Sequence, residues 1–170
     1  MKARDIVTIG MLVGVCVIAT FIKIPFGAGA MVNLGSAFIF TAAGIFGGVY
    51  TGLAAAMGSA IYDLLMGFSP YILWSFVIKG VAGLLAGYVT VGMHPQSTAY
   101  RLSRHLPAMI LAAVWTLAGY VMAWWQVTGS FAVALSNIPA SLLTSAAGIS
   151  IALILTPMLQ RAMGAMLGKK

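Results

Sequence analysis

Two opposite charges sit where charge is costly. Asp63 and Lys79 lie inside a stretch running from Asn33 to Gly87 that is otherwise almost wholly apolar and rich in glycine and alanine. An ionisable group within a bilayer is expensive and faces a partner or a cavity. Lysine can extend its ammonium along an apolar surface, so these two residues can form a neutralising pair that locks two helices, or they can hydrogen-bond a polar ligand. Polar and aromatic side chains are expected at the same depth: Asn33, Tyr71, Trp74 and Ser75, then Tyr120, Trp124, Trp125 and Gln126, then Asn137, Ser141, Thr144 and Ser145. Tryptophan and tyrosine also form interfacial belts. Asparagine and glutamine do not, and a flat aromatic ligand needs stacking rings with a few oriented donors and acceptors. The candidate binding set is therefore Asn33, Asp63, Tyr71, Trp74, Lys79, Tyr120, Trp124, Gln126, Asn137 and Ser141.

Catalytic chemistry has little to work with. Asp5 and Asp63 are the two carboxylates, and Asp5 belongs to the opposite end of the chain's helices, so no carboxylate pair exists for acid–base work. His94 and His105 fall in one polar connection without metal-ligand spacing. The single cysteine, Cys16, excludes a disulfide within the chain. No phosphate-binding GxxxxGK[ST] pattern is present. Neither an enzyme, a metal site nor a bound cofactor is expected.

The elements that must position these residues are membrane helices. Of 170 residues, 62% are apolar and 6% charged, against about a quarter charged in soluble domains. No Lys, Arg, Asp, Glu or His lies between Lys23 and Asp63 or between His105 and Arg161. Each gap can hold two spans of roughly 20 residues. The expectation is an all-α integral membrane protein, one membrane domain over residues 1–170, with six transmembrane helices near 6–22, 34–50, 52–66, 70–92, 106–127 and 136–163. The first span has no small-residue cleavage site before Lys23 and is read as a retained helix. With the N-terminus inside, Lys2, Arg4, Arg101, Arg104, Arg161, Lys169 and Lys170 are cytoplasmic, and Lys23 alone is in an outside loop. That bias places both termini in the cytoplasm. It also accounts for the net charge of +7 without nucleic acid, since no basic stripe is present.

Two connections stand out. The polar run HPQSTAYRLSRH from His94 to His105 is cytoplasmic, and IPFGAGAMVN from Ile24 to Asn33 is an outer loop that can be a lid or a plain connector. Gly10 and Gly14 form a small-xxx-small pair on the first helix, suited either to packing within the bundle or to docking another membrane protein. Gly44, Gly48 and Gly52, with Gly83 and Gly87, repeat the spacing and are read as internal packing.

The run VNLGSAFIFTAAGIFGGVYTGLAAAMGSAIYDLL, followed by IKGVAGLLAG, resembles the substrate-binding S component of energy-coupling factor (ECF) vitamin transporters, in the branch associated with riboflavin, hydroxymethylpyrimidine and pyridoxine-type substrates. The resemblance covers the first four helices and, more weakly, NIPASLLTSAAGISIALILTP in the last. Its strongest parts are NLG at Asn33–Gly35, GSAIYDLL around Asp63 and KG at Lys79–Gly80. It departs from the family at Ala140, where a polar residue is expected after Asn137. The resemblance implies a six-helix vitamin binder in the cell membrane, with an outward pocket under the first loop. It implies docking through the first helix, with Gly10 and Gly14 in place of the usual alanines, onto a transmembrane coupling protein driven by two cytoplasmic ATPases. A small flat heterocycle suits the residues, with a thiamine-precursor pyrimidine or a B6 vitamer ahead of riboflavin. A self-sufficient secondary carrier would need inverted repeats or broken helices with ion ligands. A non-transporting membrane scaffold would need only the glycine-lined faces.

Overall fold

The computed structural model describes residues 2–26, 30–92 and 102–166. Helix α1 spans Ala3–Phe21, a strand pair follows as β1 (Lys23–Phe26) and β2 (Ala30–Asn33), and then α2 (Gly35–Leu65). A short 3₁₀ turn at Ser69–Tyr71 leads into α3 (Ile72–Thr90), followed by α4 (Leu102–Thr128), α5 (Phe131–Ser136) and α6 (Ile138–Met166). Among the described residues, five helical segments are long and apolar enough to cross a membrane, the last of them Phe131–Met163.

Helix α1 starts where the Lys2 backbone N–H donates to the Asp5 carboxylate at 2.7 Å, which satisfies one open donor and sets a negative charge against the positive helix end. Its 19 residues reach about 28 Å at 1.5 Å per residue, close to the hydrocarbon thickness of about 30 Å. The chain then turns extended, and β1 pairs antiparallel with β2, Lys23 opposite Asn33 and Phe26 opposite Ala30. The outer loop is thus a hairpin, its base closed by the Leu34 N–H donating to the Ile22 carbonyl at 3.2 Å. Its tip, residues 27–29, is outside the described residues.

The structure corrects the expected break between residues 50 and 52. Residues 35–65 form one element, and its break is at Gly47, with φ 77° and ψ −178°. That backbone conformation is open to glycine and strained for any residue with a Cβ. Ser36 and Asp63, near the two ends of α2, both line one cavity, so the chain reverses at Gly47 and its two limbs run antiparallel. The reversal is held from outside: the Gly48 N–H donates to the Gly92 carbonyl at 2.8 Å. A Cβ on Gly87 would lie 2.5 Å from the Gly47 carbonyl carbon, so α3 touches the turn backbone to backbone. This contact needs the small residues that membrane helices use for close approach.

Helix α2 is the core of the bundle. In its apolar window 72% of residues are buried, against 22% in α1 and 17% in the α5–α6 segment. Ile39, Phe40, Ala43 and Ala55 pack with Ala82 and Ala86 of α3, Met109 and Ala112 of α4 and Ala152 of α6. At its end, Gly67 takes φ 74° and the Phe68 N–H reaches back to the Asp63 carbonyl at 2.8 Å, a Schellman-type stop.

Other boundaries move as well. Helix α4 begins before the expected residue 106, so His105 is a helical residue with no exposed surface rather than part of a polar loop. The rest of that loop, residues 93–101 with His94 and Arg101, lies outside the described residues, as do residues 167–170 with Lys169 and Lys170. The last span, expected over 136–163, is α6, and a short extra helix, α5, ends at Ser136 just before it. Pro157 lies inside α6.

Candidate functional site

Near Asp63 the helices part around a cavity of about 490 Å³. Four-residue spacing puts side chains on one helix face, and three such faces meet here: Ser59 and Asp63 of α2, Tyr71, Ser75 and Lys79 at and within α3, and Thr116, Tyr120 and Trp124 of α4. Asn137, Ala140, Ser141, Thr144 and Ser145 supply the wall from α6 and its entry. Thr20, Asn33, Gly35, Ser36, Ile39, Tyr62 and Phe68 complete the lining.

The two charges do not close on each other. Lys79 Nζ donates to Ser36 Oγ at 3.2 Å and stands 5.6 Å from the centre of the Tyr120 ring, within cation–π range. Asp63 is only 8% exposed, yet its Oδ2 has no hydrogen-bond partner. The neutralising lock is therefore not made as a direct pair. A buried carboxylate oxygen without a donor carries a desolvation cost.

The aromatic side of the cavity is ordered. Tyr120 and Trp124 stack with centroids 5.6 Å apart and planes at 29°, and the Tyr120 hydroxyl shares a 3.0 Å hydrogen bond with Ser75. Trp115, on the same helix, donates through Nε1 to the Ile78 carbonyl at 3.1 Å and ties α4 to α3. At the mouth, Tyr62 meets Phe21 edge-to-face at 5.0 Å and lies under the Lys23 ammonium at 5.6 Å. Asn33 Oδ1 accepts from the Gly35 N–H at 3.2 Å, fixing the strand hairpin to the start of α2 beside the cavity.

Of the candidate set, Asn33, Asp63, Tyr71, Lys79, Tyr120, Trp124, Asn137 and Ser141 line the cavity, while Trp74 and Gln126 do not. Trp74 is half-buried elsewhere on α3, and Gln126 is exposed. Ser36, Ser59, Tyr62 and Thr116 were not singled out by sequence. Ser59 had a signal, four residues before Asp63 on the same helix face; Ser36 had none without knowledge of the reversal at Gly47. Among the described residues no group of His, Cys, Asp or Glu is placed to hold a metal ion.

Gly10 and Gly14 behave unlike the other helix glycines. A Cβ on either would meet nothing within 4 Å, and both are exposed on α1. Gly44, Gly48, Gly52 and Gly83 would all collide with neighbouring atoms. Packing inside the bundle therefore explains the second group and not the first.

Residues 1–161 match the family model described as "ECF-type riboflavin transporter, S component". The chain belongs to that family. Its members are membrane-embedded substrate-binding subunits of vitamin transporters and not enzymes. A Pyrococcus woesei protein, described as "Uncharacterized protein in gap 3'region", is 32% identical over 108 residues, which cover 63% of this chain and 68% of that protein.

Proposed function

We propose that this chain is the riboflavin-capturing subunit of an ECF-type importer, holding the vitamin in the cavity bounded by α2, α3, α4 and α6. The observation that carries the reading is the cavity itself: about 490 Å³, within the range of pockets that enclose a whole small ligand. A three-ring flavin with its polyol chain uses such a volume, whereas a one-ring pyrimidine or B6 vitamer leaves most of it wet. The volume and the family's description together favour riboflavin over the single-ring ligands that the residues alone suggested.

In this reading the two limbs of α2 count as separate crossings, giving six passes with both termini on the cytoplasmic side. The cavity then opens outward beneath the β1–β2 hairpin. Gly10 and Gly14 form the docking surface for a transmembrane coupling protein driven by two cytoplasmic ATPases, and their open surroundings support that role. Gly14→Leu is expected to abolish co-purification with the coupling protein and leave vitamin affinity within about twofold. A parallel fall in affinity would return α1 to a packing role.

The deciding experiment is a thermal-shift screen of the purified protein in detergent with riboflavin, pyridoxine and the hydroxymethyl-pyrimidine precursor of thiamine. A ligand that binds only the folded state adds about 2.7 kcal/mol of apparent stability at a hundredfold excess over Kd. A shift with riboflavin supports the proposal, and a shift with a one-ring compound alone replaces the substrate. Silence from a folded sample removes the binding reading and favours a scaffold. Uptake independent of ATP would point to a secondary carrier.

A further inference from the structure

Asp63 and Lys79 present complementary demands on the same cavity wall. Asp63 is nine-tenths buried, and its Oδ2 lacks a hydrogen-bond partner. An ionised carboxylate oxygen only accepts, so what it lacks is a donor. Lys79 carries three N–H donors; Ser36 takes one and the Tyr120 ring faces the ammonium, which leaves donor capacity for an acceptor in the cavity. One negative and one positive group also leave the wall without net charge, so the occupant need bring no counter-charge. Its required edge is an N–H beside a carbonyl, on a ring flat enough to lie along the stacked Tyr120 and Trp124.

We infer that Asp63 and Lys79 read the imide edge of the ligand's ring, Asp63 accepting from the ring N–H and Lys79 donating to the adjacent carbonyl oxygen. The inference rests on the proposal that the cavity takes a flavin, and it assigns which edge of that flavin faces inward. The polyol chain then points away from Asp63 and toward the hydroxyl-bearing wall of Ser141, Thr144 and Ser145. Selectivity follows from the same geometry. A flat heterocycle without a ring N–H leaves the buried carboxylate unsatisfied, and a site with a stranded polar group rejects such a ligand strongly.

Riboflavin and 3-methylriboflavin differ at that ring N–H alone, which makes them the probes. Both are titrated into the purified full chain in detergent, with binding read from flavin fluorescence. The wild type is expected to bind riboflavin about 10- to 100-fold more tightly, the range of one hydrogen bond to a charged group. Asp63→Leu keeps the branched outline with bulkier ends and removes the acceptor, and Asp63→Ala removes the acceptor without adding bulk. Each is expected to weaken riboflavin binding by a similar factor and bring the two flavins within about threefold of each other. Lys79→Met is expected to weaken both flavins equally and leave their ratio as in wild type. Should Asp63→Leu fail to fold, Asp63→Ala provides the same comparison.

Equal binding of the two flavins by the wild type overturns the inference while leaving a flavin-binding subunit. So does a ratio that persists in Asp63→Leu, because the methyl group is then excluded by shape elsewhere. Folded wild type that binds neither flavin removes the proposed function itself.

Discussion

The two ends of the bundle bury polar groups in opposite ways. Away from the cavity, His105 has no exposed surface and stands 3.3 Å from Thr90 Oγ1 and 3.4 Å from Thr156 Oγ1. Nearby, Gln160 donates to the Gly44 carbonyl at 2.6 Å, and a Cβ on Gly44 would strike Thr156 and His105. These contacts join α2, α3, α4 and α6. At the other end the same four helices stand apart, and the Asp63 carboxylate keeps an oxygen without a partner. Polar groups in an apolar medium are satisfied wherever the fold permits. Toward the closed end the hydroxyl of Thr51 is also buried without a partner, so what sets the open end apart is a buried carboxylate oxygen in the same state beside a cavity.

The first test is of what holds both ends in place. Gly87 lies against the reversal of α2, and an added methyl would sit 2.5 Å from the Gly47 carbonyl carbon and 2.6 Å from the Gly48 nitrogen. Backbone cannot rotate away as a side chain can, so Gly87→Ala must separate α3 from α2. Overpacking of this kind costs about 1–3 kcal/mol or more, and Gly87→Ala is expected to lower the melting temperature of the detergent-solubilised protein and its folded yield. Unchanged melting would mean that α3 can move off the α2 reversal at little cost.

His105→Ala should separate the two ends. It removes a fully buried ring, at about 2–4 kcal/mol for the void and the abandoned hydrogen bonds, and touches nothing in the cavity. Melting temperature is expected to fall while riboflavin affinity stays within about twofold. If affinity fell in proportion, the closed end would be setting the width of the open one, and the division into a structural and a receptive end would fail.

Much of this was legible in the sequence, for identifiable reasons. Long runs without charge force membrane helices, and Asp63 and Lys79 stand out because they interrupt those runs. Sequence alone does not locate the break in α2, because Gly44, Gly47, Gly48 and Gly52 can each accept a sharp turn. What selects Gly47 is the hydrogen bond from Gly48 to Gly92 and the approach of Gly87, both from residues some forty positions later. Polar neighbours before His105 make it read as loop in the sequence. Its burial depends on Thr90 and Thr156, which no local pattern could bring together. The strand hairpin at Lys23–Asn33 was hidden for a similar reason: four-residue strands give too few alternations to read a period.

The smallest expected effect is the most discriminating, because it separates two tryptophans that composition treats alike. On α4, Thr116, Tyr120 and Trp124 recur every four residues and all line the cavity. On α3, Tyr71, Ser75 and Lys79 do the same, and Trp74, one residue off that register, is turned by about 100° away from Ser75 at 3.6 residues per turn. Gln126 is displaced from Trp124 by two residues and is exposed. Trp124→Ala is expected to weaken riboflavin binding by about 1–3 kcal/mol, the scale of a lost aromatic stack, with little change in melting temperature. Trp74→Ala is expected to leave affinity within about twofold, as is Gln126→Ala. A loss at Trp74 equal to that at Trp124 would place the ligand across the outer face of α3 rather than between the four helices, and Asp63 would then lie behind the site instead of within it.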